Sequence, residues 1–375
     1  MRRALTALCV LLTAALPFLF WSVRGELPGD TSALVREKYD SWAGVLRLWV
    51  FEGWQADAVG WLNRAGDSFE ASHAGVYIQV RKVDAQALCA LSDSGIEPPD
   101  MIAFPPGLLD GPEGLLPLSG LPALRDELAG YADGCAVPVA MGAYALAESR
   151  SSGGAASAAC SPAGAYCDAP VARMLMQTGG GAQAEAPEPP GLDLGLPASA
   201  TADGAMGNAP APSEDAYAAF TRAEAEALVI TQAEARRLAA LSEAGRGPDW
   251  TARATGEAML ADQLLLVGVV ERQRADMDAR AQLCMAFIAH LLDARVQAEL
   301  AETGALPVLE GLSIYAGQPG FEALEAASSL PLLVPPAFGG AGRAALAAVR
   351  EAYLAGEIDA DEGLARLRAA FSGAT

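Results

Sequence analysis

The chain has 375 residues, 52% of them hydrophobic and only 19% charged, with 46 acidic against 25 basic residues and a formal net charge of −21. That length accommodates two or three domains of roughly 100–200 residues each, and the apolar share excludes a chain disordered throughout. The acidic balance excludes a general nucleic-acid binder, whose phosphate contacts need clustered Lys and Arg, and His73 and His290, the two histidines, give no cluster for zinc chemistry.

Residues 1–24 read as a signal peptide or an N-terminal membrane anchor. Arg2 and Arg3 precede a charge-free apolar run, 4–23. About 20 apolar residues suffice to cross a bilayer, and the leading arginines keep the N-terminus cytoplasmic, which makes the chain beyond the run extracytoplasmic. Cys9 lies too deep in the run for a lipid-modified cysteine. A linker is expected over 25–43. The other five cysteines are odd in number, so an exported chain keeps at least one thiol. Cys160 and Cys167 are close enough to close a small loop around Pro162 and Gly164.

From residue 44 a strand–helix–strand–helix–strand order emerges. VLRLWVF at 45–51 is a buried strand. Val59, Leu62, Ala65 and Phe69 stripe a helix over 55–72. VYIQVRKV at 76–83 alternates as a strand. A helix is expected at 84–92 and a strand at 100–104. This order predicts a parallel α/β sheet, which binds ligands at the carboxyl ends of its strands. A proline-punctuated loop and a short helix (121–128) come next, then two short strands around Gly142 within 136–147.

Residues 148–213 are dominated by Ala, Gly, Pro and Ser, with GGG at 179–181 and PEPPG at 187–191. They read as a flexible insertion with a helical island at 169–177. Helices are then expected at 215–220, 222–229 and 231–244, with 227–231 readable as a short strand instead. QLLLVGVV at 263–270 is a strongly apolar strand. A long amphipathic helix spans 276–303, and shorter helices lie at 321–329, 343–354 and 359–370, the last capped by Asp359.

Four blocks carry a resemblance to the maltose-binding-like solute-binding proteins of ATP-driven importers. They are the opening strand, loop, helix and strand at 46–83; PDMIAF at 99–104; GCAVPVAMGAYAL at 134–146; and the C-terminal stretches 281–315 and 352–367. A long helix with a Gln near its end, followed by Gly-Ala-x-Pro-Val, is particularly characteristic of the family. The resemblance implies an α/β, two-lobed, periplasmic-binding-protein-like fold (type II) with parallel-sheet lobes flanked by helices. The expected division is lobe 1 over 44–147, the insertion over 148–213, and a second-lobe remnant with a helical return to lobe 1 over 214–375. The Ala/Gly/Pro-rich insertion departs from the family, whose members carry a full helical second lobe there.

The implied function is capture of a small sugar-like solute between two lobes by an extracytoplasmic monomer. Delivery to permease subunits in the membrane would complete it, with no catalysis, cofactor or metal. Stacking faces and hydroxyl acceptors are the groups such a site needs. Glu52 and Trp54 lie just past the first strand at its carboxyl end, and Phe104 ends the third. Met141 and Tyr144 lie in the crossover, Trp250 stands beside Pro248 and Asp249, and Tyr315 comes after the Gly-Ala-x-Pro block. Each has an alternative role as a packing residue. Two other functions stay open: a degenerate relative serving a membrane complex as a structural or sensory partner, and an extracytoplasmic hydrolase using a carboxylate pair.

Overall fold

The computed structural model describes residues 42–51, 58–83, 97–128, 131, 134–150, 158–160, 167–179 and 212–372. The expected export segment at 1–24, the helix at 84–92 and most of the 148–213 stretch lie outside these residues.

The first sheet forms as its sequence dictates. β1 (Gly44–Phe51) is followed by α1 (Ala58–Glu70), β2 (Val76–Val83) and β3 (Met101–Phe104). β1 pairs in parallel with β2 on one side and β3 on the other, and its apolar run suits a strand covered on both faces. α1 turns Trp61, Leu62, Ala65 and Phe69 into the core at helical spacing. Trp61 also donates its indole N–H to the Val296 carbonyl at 3.1 Å. Asp100 is buried at the start of β3, where its carboxylate accepts the Arg47 amide at 2.9 Å. Arg280 at 3.0 Å and Arg272 at 3.4 Å balance its charge, as a buried carboxylate requires.

β4 (Val137–Met141) belongs to this sheet, whereas β5 (Ala145–Ser149) enters a second one. The second sheet is completed by β6 (Ala158–Cys160), β7 (Ala227–Ile230) and β8 (Trp250–Arg253), in the order β6-β7-β5-β8. Around it lie α2 (Ala169–Leu175), α3 (Pro212–Thr221) and α4 (Gln232–Glu243). Of the two readings for 227–231, the strand forms. α4 opens with a capping box between Thr231 and Glu234. After β9 (Met259–Leu260) the chain returns to the first sheet as β10 (Leu264–Val269).

β10 lies between β3 and β4, antiparallel to both, giving the order β2-β1-β3-β10-β4. The two-lobed α/β class holds, but the lobes are mixed sheets rather than wholly parallel ones. The cause is the path of the chain. β4 leaves the first sheet at the edge facing the second, so β10, which re-enters at that edge, runs the opposite way.

The expected single helix over 276–303 is broken. α5 (Met277–Leu291) packs on α1 and β10, then the Asp293 carboxylate accepts the Arg295 amide at 2.8 Å and starts α6 (Ala294–Ala298). A 3-10 turn, Glu299–Glu302, comes next. An aspartate cap placed inside an apolar pattern favours a restart over continuation. The new direction buries Gln297, whose amide donates to the carbonyls of Val139 (2.7 Å) and Leu291 (2.8 Å) and accepts the Val308 N–H at 3.0 Å. The β4–β10 register shifts at Val139, passing from Ala140 to Pro138. Gln297 thus satisfies a carbonyl at the bulge.

The last elements are α7 (Pro319–Ser328), β11 (Leu332–Leu333), α8 (Ala341–Leu354) and α9 (Ala360–Ser372). β11 pairs with β9. α8 and α9 pack on α2, burying Leu346, Val349, Leu364 and Leu367 with Val171 and Met174. The chain returns to the first sheet as β10, and α5 packs on α1 beside it.

Candidate functional site

Three stretches connect the first sheet and its helices to the rest of the chain: 142–144 from β4 to β5 of the second sheet, 261–263 from β9, which pairs with β11 in a small sheet of its own, to β10, and 303–318 leading into α7. They are tied to one another. The Gly142 amide donates to the Gln263 carbonyl at 2.7 Å, and Met141 and Leu306 exchange backbone hydrogen bonds of 3.0 and 2.8 Å. The Gln232 side chain donates to that of Gln263 at 2.9 Å. A Cβ on Gly142 would lie 2.5 Å from Gln232 Nε2 and 2.7 Å from Gln263 Oε1, so a larger residue there would have to displace the two buried amides.

A buried acidic cluster sits beside these crossings. The Tyr144 hydroxyl lies 3.0 Å from both carboxylate oxygens of Asp262, and the Asp168 amide donates to Asp262 at 3.0 Å. Asp168 caps α2 through the Val171 amide and faces Arg350 at 3.7 Å. Burial pushes the Asp262 carboxyl up to about 7 against the hydrogen bonds it accepts. Burial likewise pushes Asp168 up to about 6 against the attraction of Arg350. The Tyr144 phenol is raised by burial and by the Asp262 charge. The cluster links two crossings to the N-terminus of α2, with both of its carboxyls raised by burial.

The carboxyl end of β3, where this fold class places ligands, is covered by a loop from the other body. Gly107 donates to the Ala337 carbonyl at 2.8 Å, and Gly339 donates to the Leu109 carbonyl at 2.8 Å. Phe338 lies 6.1 Å from Phe104, ring centre to ring centre. A pyranose held between two groups needs about 7 Å, twice the ordinary contact distance. These two loops therefore leave no room for a sugar ring where they meet.

The expected ligand residues are dispersed. Glu52 and Trp54 lie outside the described residues. Phe104, Met141 and Tyr315 are fully buried. The Tyr315 hydroxyl donates to the Ala305 carbonyl at 2.7 Å, and its ring stacks on Phe321 at 4.6 Å. Tyr144 belongs to the acidic cluster. Trp250 is half-buried in β8, not in a loop; it donates to Ser242 Oγ at 3.1 Å, and the outer carbons of its ring lie close against Gly320 of α7. Met141 and Tyr144 lie at one crossing, but none of the five described candidates lines the cleft of about 520 Å³ between Arg125–Glu127, 307–313 and the end of α7. Arg125 already reaches across that cleft to the Ser328 hydroxyl at 3.1 Å and to its carbonyl. Among the described residues no group of three His, Cys, Asp or Glu could hold a metal ion, and no helix is long and apolar enough to cross a membrane.

The chain is similar in structure to several solved proteins. A cyclic α-maltosyl-1,6-maltose-binding protein of Arthrobacter globiformis aligns with a TM-score of 0.54 at 15% identity, over 89% of this chain and 99% of its own. A receptor of Streptomyces glaucescens, solved unliganded and with acarbose, aligns at 0.52 and 16% identity, over 89% and 100%. An importer substrate-binding protein of Listeria monocytogenes in complex with cycloalternan aligns at 0.52 and 10% identity, over 88% and 98%. The fold is that of a two-lobed solute-binding protein. No protein-family model matches the sequence, and no curated protein matches it.

Sequence reasoning missed Asp262 and Asp168 as a pair. Asp262 reads as a helix terminator before an apolar strand, and Asp168 lies within the low-complexity stretch. The signal that was present is the Asp-Ala-Pro at 168–170, an N-cap followed by proline at the start of a helix. The contact of Gly107 with Ala337 and Gly339 carried no local signal, because its partners are more than 200 residues apart.

Proposed function

We propose that this chain is an extracytoplasmic receptor that captures a small solute, a sugar or oligosaccharide, between two lobes and presents it to the permease of an ATP-driven importer. Lobe 1 is built on the sheet of β1, β2, β3, β10 and β4, and lobe 2 on that of β5 to β8, with residues 1–24 as export signal or membrane anchor. The observation that carries the reading is the two larger sheets linked by the β4–β5 crossing and tied to the stretches at 261–263 and 303–318, in a fold whose solved neighbours include sugar-binding proteins. Binding by hinge closure needs no covalent chemistry and no cofactor, and a monomer suffices for it. Glu52 and Trp54, which follow β1 in sequence, are proposed as hydroxyl acceptor and stacking face.

A thermal-shift screen of the exported chain against maltooligosaccharides, chitooligosaccharides and monosaccharides tests this. One sugar class is expected to raise the melting temperature, by the mass-action stabilisation of a ligand that binds only the folded state, with the sugar recovered unchanged. The second reading is the degenerate relative that binds no solute. The backbone contact across the cleft at Gly107 favours it, and a flat response to every sugar is its result. Hydrolysis of a sugar would instead favour an enzyme.

A further inference from the structure

We infer that residues 335–339, carried by lobe 2 between β11 and α8, are a built-in latch that docks on the loop after β3 and holds the solute cleft shut. The inference rests on the reading of the chain as a two-lobed receptor and names a regulation of that same cleft. Three contacts build the latch. Gly107 donates to Ala337, Gly339 donates to Leu109, and the Tyr131 hydroxyl donates to the Pro335 carbonyl. The first two form a reciprocal pair, like a short stretch of sheet between segments from different lobes.

The geometry is specific to glycine on both sides. Gly107 has φ +69° and Gly339 φ +80°, the left-handed region that favours glycine. A Cβ on Gly107 would lie 3.1 Å from the Gly339 carbonyl and 3.4 Å from the Arg343 side chain. The latch is tensioned from behind: a Cβ on Gly342, at the start of α8, would lie 2.8 Å from Pro336, so the proline pair is seated on the helix that carries it. Pro335 and Pro336 also stiffen the segment, which lowers the entropy lost on docking. Phe338 adds apolar contact with Phe104 at the floor of the cleft. A ring-shaped solute reaches Phe104 only after the two reciprocal hydrogen bonds part. The latch therefore competes with the solute, and the apparent affinity is set by the fraction of molecules in which it is open.

Amide hydrogen exchange at single-residue resolution, on the exported chain without added sugar, tests the latch. Gly107 and Gly339 are expected to exchange slowly and together, at rates below those of neighbouring loop amides. Tyr131→Phe is expected to speed both about fivefold, the effect of one net hydrogen bond, with β3 and β10 amides unchanged. Exchange of Gly107 and Gly339 at the rate of an unstructured loop would overturn the inference, as would insensitivity of both to Tyr131→Phe in a variant that melts like the parent. The test uses no ligand, so it separates from the sugar screen. Protected glycines with a flat sugar response leave the interlobe contact standing but remove the receptor reading and, with it, the competition with a solute.

Discussion

Asp262→Asn is expected to raise stability by about 4 kcal/mol at pH 8 and by about 1–2 kcal/mol at pH 5, the gain vanishing only below about pH 4. Asp262 is buried with its carboxyl raised from 3.8 to about 7. A carboxyl raised in the folded state binds its proton more tightly there than in the unfolded chain, so stability falls as the pH climbs from about 4 through about 7. At pH 8 the folded protein carries the charge in an apolar setting; at pH 5 it carries the neutral acid, which Asn imitates. The Asn carbonyl can still accept the Asp168 amide and the Tyr144 hydroxyl. The groups facing Asp262 are Tyr144, Asp168 and, through Asp168, Arg350, with Cys167 beside Tyr144. Asp168, raised to about 6, leaves a shallower slope of the same sign in the variant. Urea unfolding at pH 5, 6, 7 and 8 measures this. An equal loss of stability at all four pH values would mean that the carboxylate is paired well enough to stabilise the crossing.

Gln297→Leu is expected to destabilise the chain by about 3–5 kcal/mol, because each buried polar group left without a partner costs about 1–3 kcal/mol. The groups left behind are the Val139 and Leu291 carbonyls and the Val308 N–H. Leucine is close to glutamine in volume, so the loss measures polar satisfaction rather than a cavity. Gln297 joins β4, the end of α5 and the third crossing, so its loss should lower the unfolding midpoint of the whole body without splitting the transition. A loss under 1 kcal/mol would show that relaxation or water supplies the missing partners.

The first lobe was largely legible because its signals are local. The apolar run at 45–51, the stripe of Leu62, Ala65 and Phe69, and the Pro-Asp step at 99–100 each specify their own element. Gln297 was visible as a characteristic residue, but its three partners were not, since a buried amide is defined by chain segments far away in sequence. The break at Asp293 was hidden inside an apolar periodicity that continues through it, and only the capping chemistry of the aspartate betrays it. The direction of β10 was not legible at all: a buried apolar strand reads the same in parallel and antiparallel settings, and its direction is set by the edge at which it re-enters. The candidate ligand residues fared as aromatic residues often do, with Tyr315 and Trp250 found packing neighbours within their own lobes.

The most direct test of solute capture is isothermal titration calorimetry of the exported chain with the sugar series, linear and cyclic maltooligosaccharides first. The receptor account predicts a single saturable isotherm with one site per chain for one sugar class, and a negative heat-capacity change as the cleft closes over an apolar sugar face. Absence of saturable heat for every sugar at millimolar concentration, from a chain that still unfolds cooperatively, would contradict it.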